Sequence, residues 1–125
     1  MTKILIVDDS AFQRTHLSDI LKKDGYELLE ASKGKEALRI IKTQSPDCVL
    51  LDLIMPESGI EVLEAMQEQD LKIPVIVVTA DIQETTRQKC LELGAAGFIN
   101  KPTFSNEDKL RKLVSRVLEP DEGRK

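Results

Sequence analysis

Apolar residues in this chain come in short unbroken runs, and four of those runs end on polar chemistry. Ile4-Leu5-Ile6-Val7 leads into Asp8-Asp9, Cys48-Val49-Leu50-Leu51 into Asp52, Val75-Ile76-Val77-Val78 into Thr79, and Gly97-Phe98-Ile99-Asn100 into Lys101-Pro102. Continuous aliphatic and β-branched runs of this length are the pattern of strands buried on both faces, as in parallel sheets. Between the runs the apolar period lengthens to helical spacing, at Leu17, Ile20 and Leu21, at Ala37, Leu38 and Ile41, at Ile60, Leu63 and Met66, and at Leu110, Leu113, Val114 and Val117. The pattern predicts helices over Ser10 to Lys23, Ser32 to Thr43, Ser58 to Gln69, Gln83 to Leu93 and Asn106 to Leu118, with a weaker second strand over Glu27 to Ala31. Ser10 and Asn106 suit N-caps, Gly25 and Gly94 suit left-handed helix ends, and Pro46 stops the second helix. Pro74 opens the fourth strand, where a missing N–H is tolerated.

Alternation of strand and helix with short connections predicts an α/β fold, a parallel sheet covered by helices on both faces through right-handed crossovers. A chain of 125 residues is enough for one such core. No repeat, linker or low-complexity stretch interrupts it, so residues 1–119 read as one domain, 120–125 as a flexible tail, and no output module is attached. Apolar content of 41% and charged content of 32% fit a globular chain, and the net charge of −4 argues against nucleic acid. No apolar stretch reaches the length of a membrane span and no secretory segment precedes the first strand, which points to the cytoplasm. Cys48 and Cys90 lack metal-ligand spacing and read as free thiols of a reducing compartment; with a single histidine, the chain argues against a zinc centre.

Open α/β sheets place their ligands at the carboxyl ends of the strands. Asp8, Asp9, Asp52, Thr79 and Lys101 would therefore meet on one sheet edge. Each has an ordinary reading alone: Asp8-Asp9 as helix caps, Asp52 as a loop cap, Thr79 at the core edge, Lys101 in solvent. Together they describe a reaction site. Clustered carboxylates repel, and a hard divalent cation such as Mg²⁺, bound through oxygen, relieves that repulsion while leaving room for phosphate oxygens. Asp52, at a partly desolvated position, could be a nucleophile toward phosphorus, with Lys101 and the metal neutralising charge and the Thr79 hydroxyl donating to a phosphoryl oxygen.

These motifs, Asp8-Asp9, Leu51-Asp52-Leu53 with Met55-Pro56, Val78-Thr79-Ala80, and Gly97-Phe98-Ile99 with Asn100-Lys101-Pro102, resemble those of response-regulator receiver domains, among them the chemotaxis regulators of CheY type. The likeness extends from residue 3 to about residue 119. It implies five parallel strands in the order 2-1-3-4-5, the doubly wound order for which that family is a standing example. It implies that Asp52 is phosphorylated from the phosphohistidine of a sensor histidine kinase. Asp9, Asp52 and the backbone carbonyl of Ile54 would bind Mg²⁺ directly and Asp8 mainly through water. Thr79 and Phe98 would form a switch, and a cis peptide would precede Pro102. The switch would alter the surface of the fourth helix, fifth strand and fifth helix, read by a downstream signalling or motor protein. The implied protein is a monomer with no external substrate, self-phosphorylating and self-dephosphorylating only. Ordinary strand packing remains an alternative for Phe98.

Two departures stand out. Gly59 follows Pro56 by three residues where the family has four, which puts the loop before the third helix in doubt. Ile54 stands two past Asp52, where polar residues are frequent, and Asp81 two past Thr79. Both flank the path of attacking water, and an apolar Ile54 predicts slow dephosphorylation. His16 reads as solvated, Phe12 as partly exposed with kinase docking as an alternative, and Lys109, Arg111, Lys112 and Arg116 as a solvated face. A rival role is a phosphorelay intermediate exchanging phosphate with a histidine phosphotransfer domain. A Mg²⁺ phosphatase of the haloacid dehalogenase kind is a further rival, but Asp8-Asp9-Ser10 lacks its Asp-x-Asp spacing. Nucleotide or flavin binding lacks a glycine-rich loop.

Overall fold

The computed structural model describes residues 2–55, 58–80, 83–101 and 107–119. Strand and helix alternate as β1 (Lys3–Val7), α1 (Ala11–Lys22), β2 (Glu27–Ala31), α2 (Gly34–Gln44), β3 (Cys48–Leu51), α3 (Gly59–Glu68), β4 (Val75–Thr79), α4 (Glu84–Glu92), β5 (Gly97–Asn100) and α5 (Glu107–Val117). The strands form one parallel sheet in the order β2-β1-β3-β4-β5, as the family likeness implied.

Successive side chains on a strand point to opposite faces, so each unbroken apolar run feeds two cores at once. Leu5, Val7, Val49, Leu51, Val75 and Val77 pack with Ala37 and Ile41 of α2, Val62, Leu63 and Met66 of α3, and Cys90 of α4. Ile4, Ile6, Cys48, Leu50, Ile76, Val78 and Ile99 pack with Leu17, Ile20 and Leu21 of α1 and Leu110 and Val114 of α5. Each fully buried aliphatic side chain contributes about 1.5–3 kcal/mol, which makes these two layers the main source of stability. Edge strand β2 is half solvated, with Glu27 and Glu30 exposed, which explains its weaker apolar signal.

The helix ends follow local chemistry. Ser10 caps α1, its side chain accepting from the Gln13 N–H at 3.2 Å. Helix α2 begins at Gly34, two residues later than the sequence pattern predicts, because Glu36 reaches back and accepts from the Ser32 N–H at 2.9 Å. It ends on Ser45 in the left-handed region, φ 48°, just before buried Pro46. Gly25 and Gly94 adopt the positive φ predicted for them. The proposed Asn106 cap, the peptide before Pro102, and the tail 120–125 lie outside the described residues.

Cys48 and Cys90 are free and buried, and burial pushes the Cys48 thiol up to about 12, so it is inert as a nucleophile at neutral pH. Two readings need correction. His16 is half-buried, not solvated, because it lies beside Ile20 at the margin of the buried stripe of α1; its Nε2 is closed off and finds no hydrogen-bond partner among the described residues. Arg111 is not simply solvated either: it binds Asp24 through both carboxylate oxygens at 2.7 and 3.0 Å, tying α5 to the end of α1. That hydrogen bond holds the Asp24 carboxyl below the usual carboxylate range.

Candidate functional site

Strand register brings the polar termini together. Val7 lies opposite Leu51, so Asp8 and Asp52 emerge side by side, and the Asp52 N–H donates to the Val7 carbonyl at 2.9 Å. Leu51 lies opposite Val77, which sets Thr79 just beyond Asp52. Thr79 lies opposite Asn100, which delivers Lys101 to the same edge, its N–H donating to the Thr79 carbonyl at 2.9 Å.

Asp8 is 2% exposed, Asp52 5% and Thr79 fully buried, whereas Asp9 stands in solvent. Buried carboxylates need partners, and Lys101 supplies one. Its Nζ donates to Asp8 Oδ2 at 2.8 Å and to Asp52 Oδ2 at 3.3 Å. Asp8 Oδ1 accepts from the Ser10 N–H at 2.9 Å, and Asp52 Oδ1 from the Ile54 N–H at 3.2 Å. Burial raises the Asp52 carboxyl above the usual carboxylate range, against the opposing pull of the Lys101 ammonium and the Ile54 N–H. Burial works to lower Lys101, but its hydrogen bond to Asp8 and the charges of Asp52 and Asp8 outweigh it and hold the ammonium above its ordinary pKa.

Asp8, Asp9 and Asp52 each offer a carboxylate oxygen, and these oxygens lie within 4.8 Å of one another. Three hard oxygen donors so gathered fit Mg²⁺ in chemical type. Ile54 is 59% exposed beside Asp52, while Asp81, its suggested counterpart, lies outside the described residues.

Sequence patterns missed two supports of this site. Gly59 packs against the backbone of Asp52 and Leu53, its N–H donating to the Leu53 carbonyl at 3.1 Å. Arg14 donates to the Asp8 carbonyl at 2.7 Å. One signal was present: a cation four residues past the Ser10 cap opposes the helix dipole unless something binds it. Farther along the sheet, Phe98 is half-buried, with the Arg87 guanidinium 6.0 Å from its ring centroid. Phe98 and Leu113 floor a surface cavity of about 530 Å³ whose rim carries Arg87, Lys109, Lys112 and Arg116. Lys109, Lys112 and Arg116 are exposed, as expected of a solvated face, and they line this cavity together.

A family model described as the response regulator receiver domain matches residues 4–115. The chain belongs to the response regulator receiver family. As a receiver domain it is a component of two-component signalling. It is 38% identical over 121 residues to the alkaline phosphatase synthesis transcriptional regulatory protein PhoP of Bacillus subtilis, covering 96% of this chain but only 50% of that protein. It is 39% identical over 117 residues to sporulation initiation phosphotransferase F of the same organism, with 93% of each chain covered. The crystal structure of the Vibrio cholerae chemotaxis protein CheY4 matches 94% of this receiver domain and 99% of that chain, with a TM-score of 0.86 and 33% identity. No helix among the described residues is long and apolar enough to cross a membrane.

Proposed function

We propose that this receiver domain takes a phosphoryl group onto Asp52 from the phosphohistidine of a sensor histidine kinase and passes the change to a partner through the α4-β5-α5 face. The observation carrying this reading is the pairing of Lys101 with both Asp8 and Asp52 at the register-aligned ends of β1, β3 and β5. Asp8 Oδ2 lies 2.8 Å from the ammonium and Asp52 Oδ2 3.3 Å, and the looser hold on Asp52 supports it as the attacking carboxylate. An Asp52 oxygen attacks phosphorus, the P–N bond to histidine breaks, and the imidazole leaves with the electron pair. Lys101 neutralises charge on the equatorial oxygens, and Thr79 offers its hydroxyl to one of them. Asp8, Asp9, Asp52 and the Ile54 carbonyl would hold Mg²⁺, which when bound offsets the negative charge of carboxylates and phosphate.

The new dianion would draw Thr79 toward it and let Phe98 turn inward, remodelling the groove it floors. A rim of four cations on a chain of net charge −4 favours a partner segment that is acidic and carries an apolar anchor. A chemotaxis or motility role suits this reading. The similarity to a sporulation phosphotransferase favours a second, exchange with a histidine phosphotransfer domain. Binding assays with a motor switch protein and with a phosphotransfer domain separate the two. In either role the domain acts as a cytoplasmic monomer, needs no nucleic acid, and turns over no external metabolite.

Intact-mass spectrometry with acetyl phosphate and MgCl₂ tests the reading. The wild-type chain should gain one phosphoryl group, Asp52→Asn none, and Asp8→Asn should retain labelling. The opposite pattern would indicate the phosphatase arrangement instead. Exposed, apolar Ile54 cannot orient a hydrolytic water. Ile54→Asn is therefore expected to speed decay of phosphorylated Asp52 several-fold, and an unchanged lifetime would remove Ile54 from the pathway.

A further inference from the structure

The Arg14 side chain is 18% exposed and joins three segments. Its Nη1 donates to the Asp8 carbonyl at 2.7 Å, while its Nε donates to Glu30 Oε1, at the end of β2, at 2.9 Å. The Asp8 carbonyl shares a planar peptide unit with the N–H of Asp9. Fixing that carbonyl therefore fixes the plane from which Asp9 departs. Asp8 is also anchored through its own N–H to Ala31 at 3.1 Å, through Ser10 and through Lys101. Asp9, by contrast, is exposed to solvent, and among the described residues its direction is set through the backbone it shares with Asp8.

Charge alone would make an arginine here a poor neighbour for a cation site. Glu30 cancels it, so the pair supplies hydrogen bonds with no net charge. We infer that Arg14, locked by Glu30, is a positioning residue that sets the Asp8–Asp9 turn for divalent-cation binding. This rests on the reading of the acid cluster as a Mg²⁺ site. Lysine would not replace it, since an ammonium lacks the planar fork that reaches a carbonyl and a carboxylate together.

The experiment is a MgCl₂ titration of the metal-free full chain, followed through the backbone amide resonances of Asp9, Asp52 and Gly59. Arg14→Ala is expected to weaken Mg²⁺ binding roughly tenfold, the low end for groups that orient metal ligands. Arg14→Lys and Glu30→Gln should fall between. The sign is diagnostic: deleting Arg14 leaves Glu30 uncompensated, which by electrostatics alone would tighten binding. The double variant Arg14→Ala/Glu30→Gln removes both charges and should still bind weakly. Unchanged or tighter binding in Arg14→Ala overturns the inference, even if the melting temperature falls, and reduces the pair to a brace between α1 and β2. Should Arg14→Ala not fold, wild-type affinity in both Arg14→Lys and Glu30→Gln overturns it equally. No Mg²⁺-dependent shift in the wild type would instead overturn the metal-site reading and the inference with it.

Discussion

Lys101→Ala is expected to lower the melting temperature by roughly 10 °C at neutral pH without metal, corresponding to a loss of about 3 kcal/mol. The reason is what remains behind. Two nearly inaccessible carboxylates would face each other with their shared cation gone, and unpaired buried charge is among the costliest single defects. The pH dependence has a definite sign. Lys101 titrates above its ordinary value, so its contribution is fully present below the unfolded-state lysine pKa and is lost only as the pH rises through the elevated folded value. It is therefore intact throughout the neutral range. Asp52 is also raised, and removing Lys101 takes away an influence that holds it down. In the variant, Asp52 protonates at a higher pH than in the wild type. The stability deficit should thus shrink on acidification, as protonation relieves the repulsion with Asp8. Thermal melts across pH provide the check. An equal deficit at every pH would mean that the lost packing of the lysine stem, not its charge, is responsible. In an Asp52→Asn background the deficit should be smaller, because the two groups are coupled.

Gly59→Ala is expected to be about as damaging, by a steric route. A Cβ on Gly59 would collide with the Asp52 carbonyl oxygen and stand 2.8 Å from Leu53 Cα and 3.0 Å from the Asp52 carbonyl carbon. All these atoms are backbone, so no rotamer change can relieve the contact. Either α3 or the segment carrying Asp52 must shift. Overpacking of this kind costs about 3 kcal/mol, or roughly 10 °C in melting temperature. Because the displaced atoms belong to Asp52 itself, the rate of labelling by acetyl phosphate should fall as well, while Gly25→Ala, remote from the site, should leave labelling intact. A folded Gly59→Ala protein labelled at the wild-type rate would show that α3 moves instead. The close approach also gives physical meaning to the glycine displaced by one residue from the family spacing. Pro56 and Glu57 lie outside the described residues, but the far end of the loop is held by a glycine in contact with the backbone of Asp52.

What could be read from the chain alone divides along a physical line. β1, β3 and β4 announced themselves because strands buried on both faces cannot carry polar residues, so each run ends where chemistry begins. Register then did the rest, and Asp8, Asp52, Thr79 and Lys101 converge because their strands end at compatible heights. Boundaries set by side-chain hydrogen bonds were harder, as the delayed start of α2 under Glu36 shows. Contacts across the fold were invisible. Nothing in local spacing couples Arg14 to Glu30, Arg111 to Asp24, or Gly59 to Asp52, since each pair is fixed by crossover geometry. The groove escaped for the same reason: along the sequence Lys109, Lys112 and Arg116 read only as a solvated helix face, whereas in space they line one cavity with Phe98 and Arg87.

Asp8, Asp52, Thr79 and Lys101 crowd one rim of the sheet, and the turns at the opposite rim carry none of them. There, between α3 and β4, Asp70 adopts φ 55° and the side chains of Asp70 and Lys72 are 80% and 82% exposed. Exposed tips of this kind tolerate added mass best. A fluorophore or affinity handle attached at Lys72 would sit behind the molecule, letting encounters with candidate partners be watched in real time with the carboxylate cluster unobstructed.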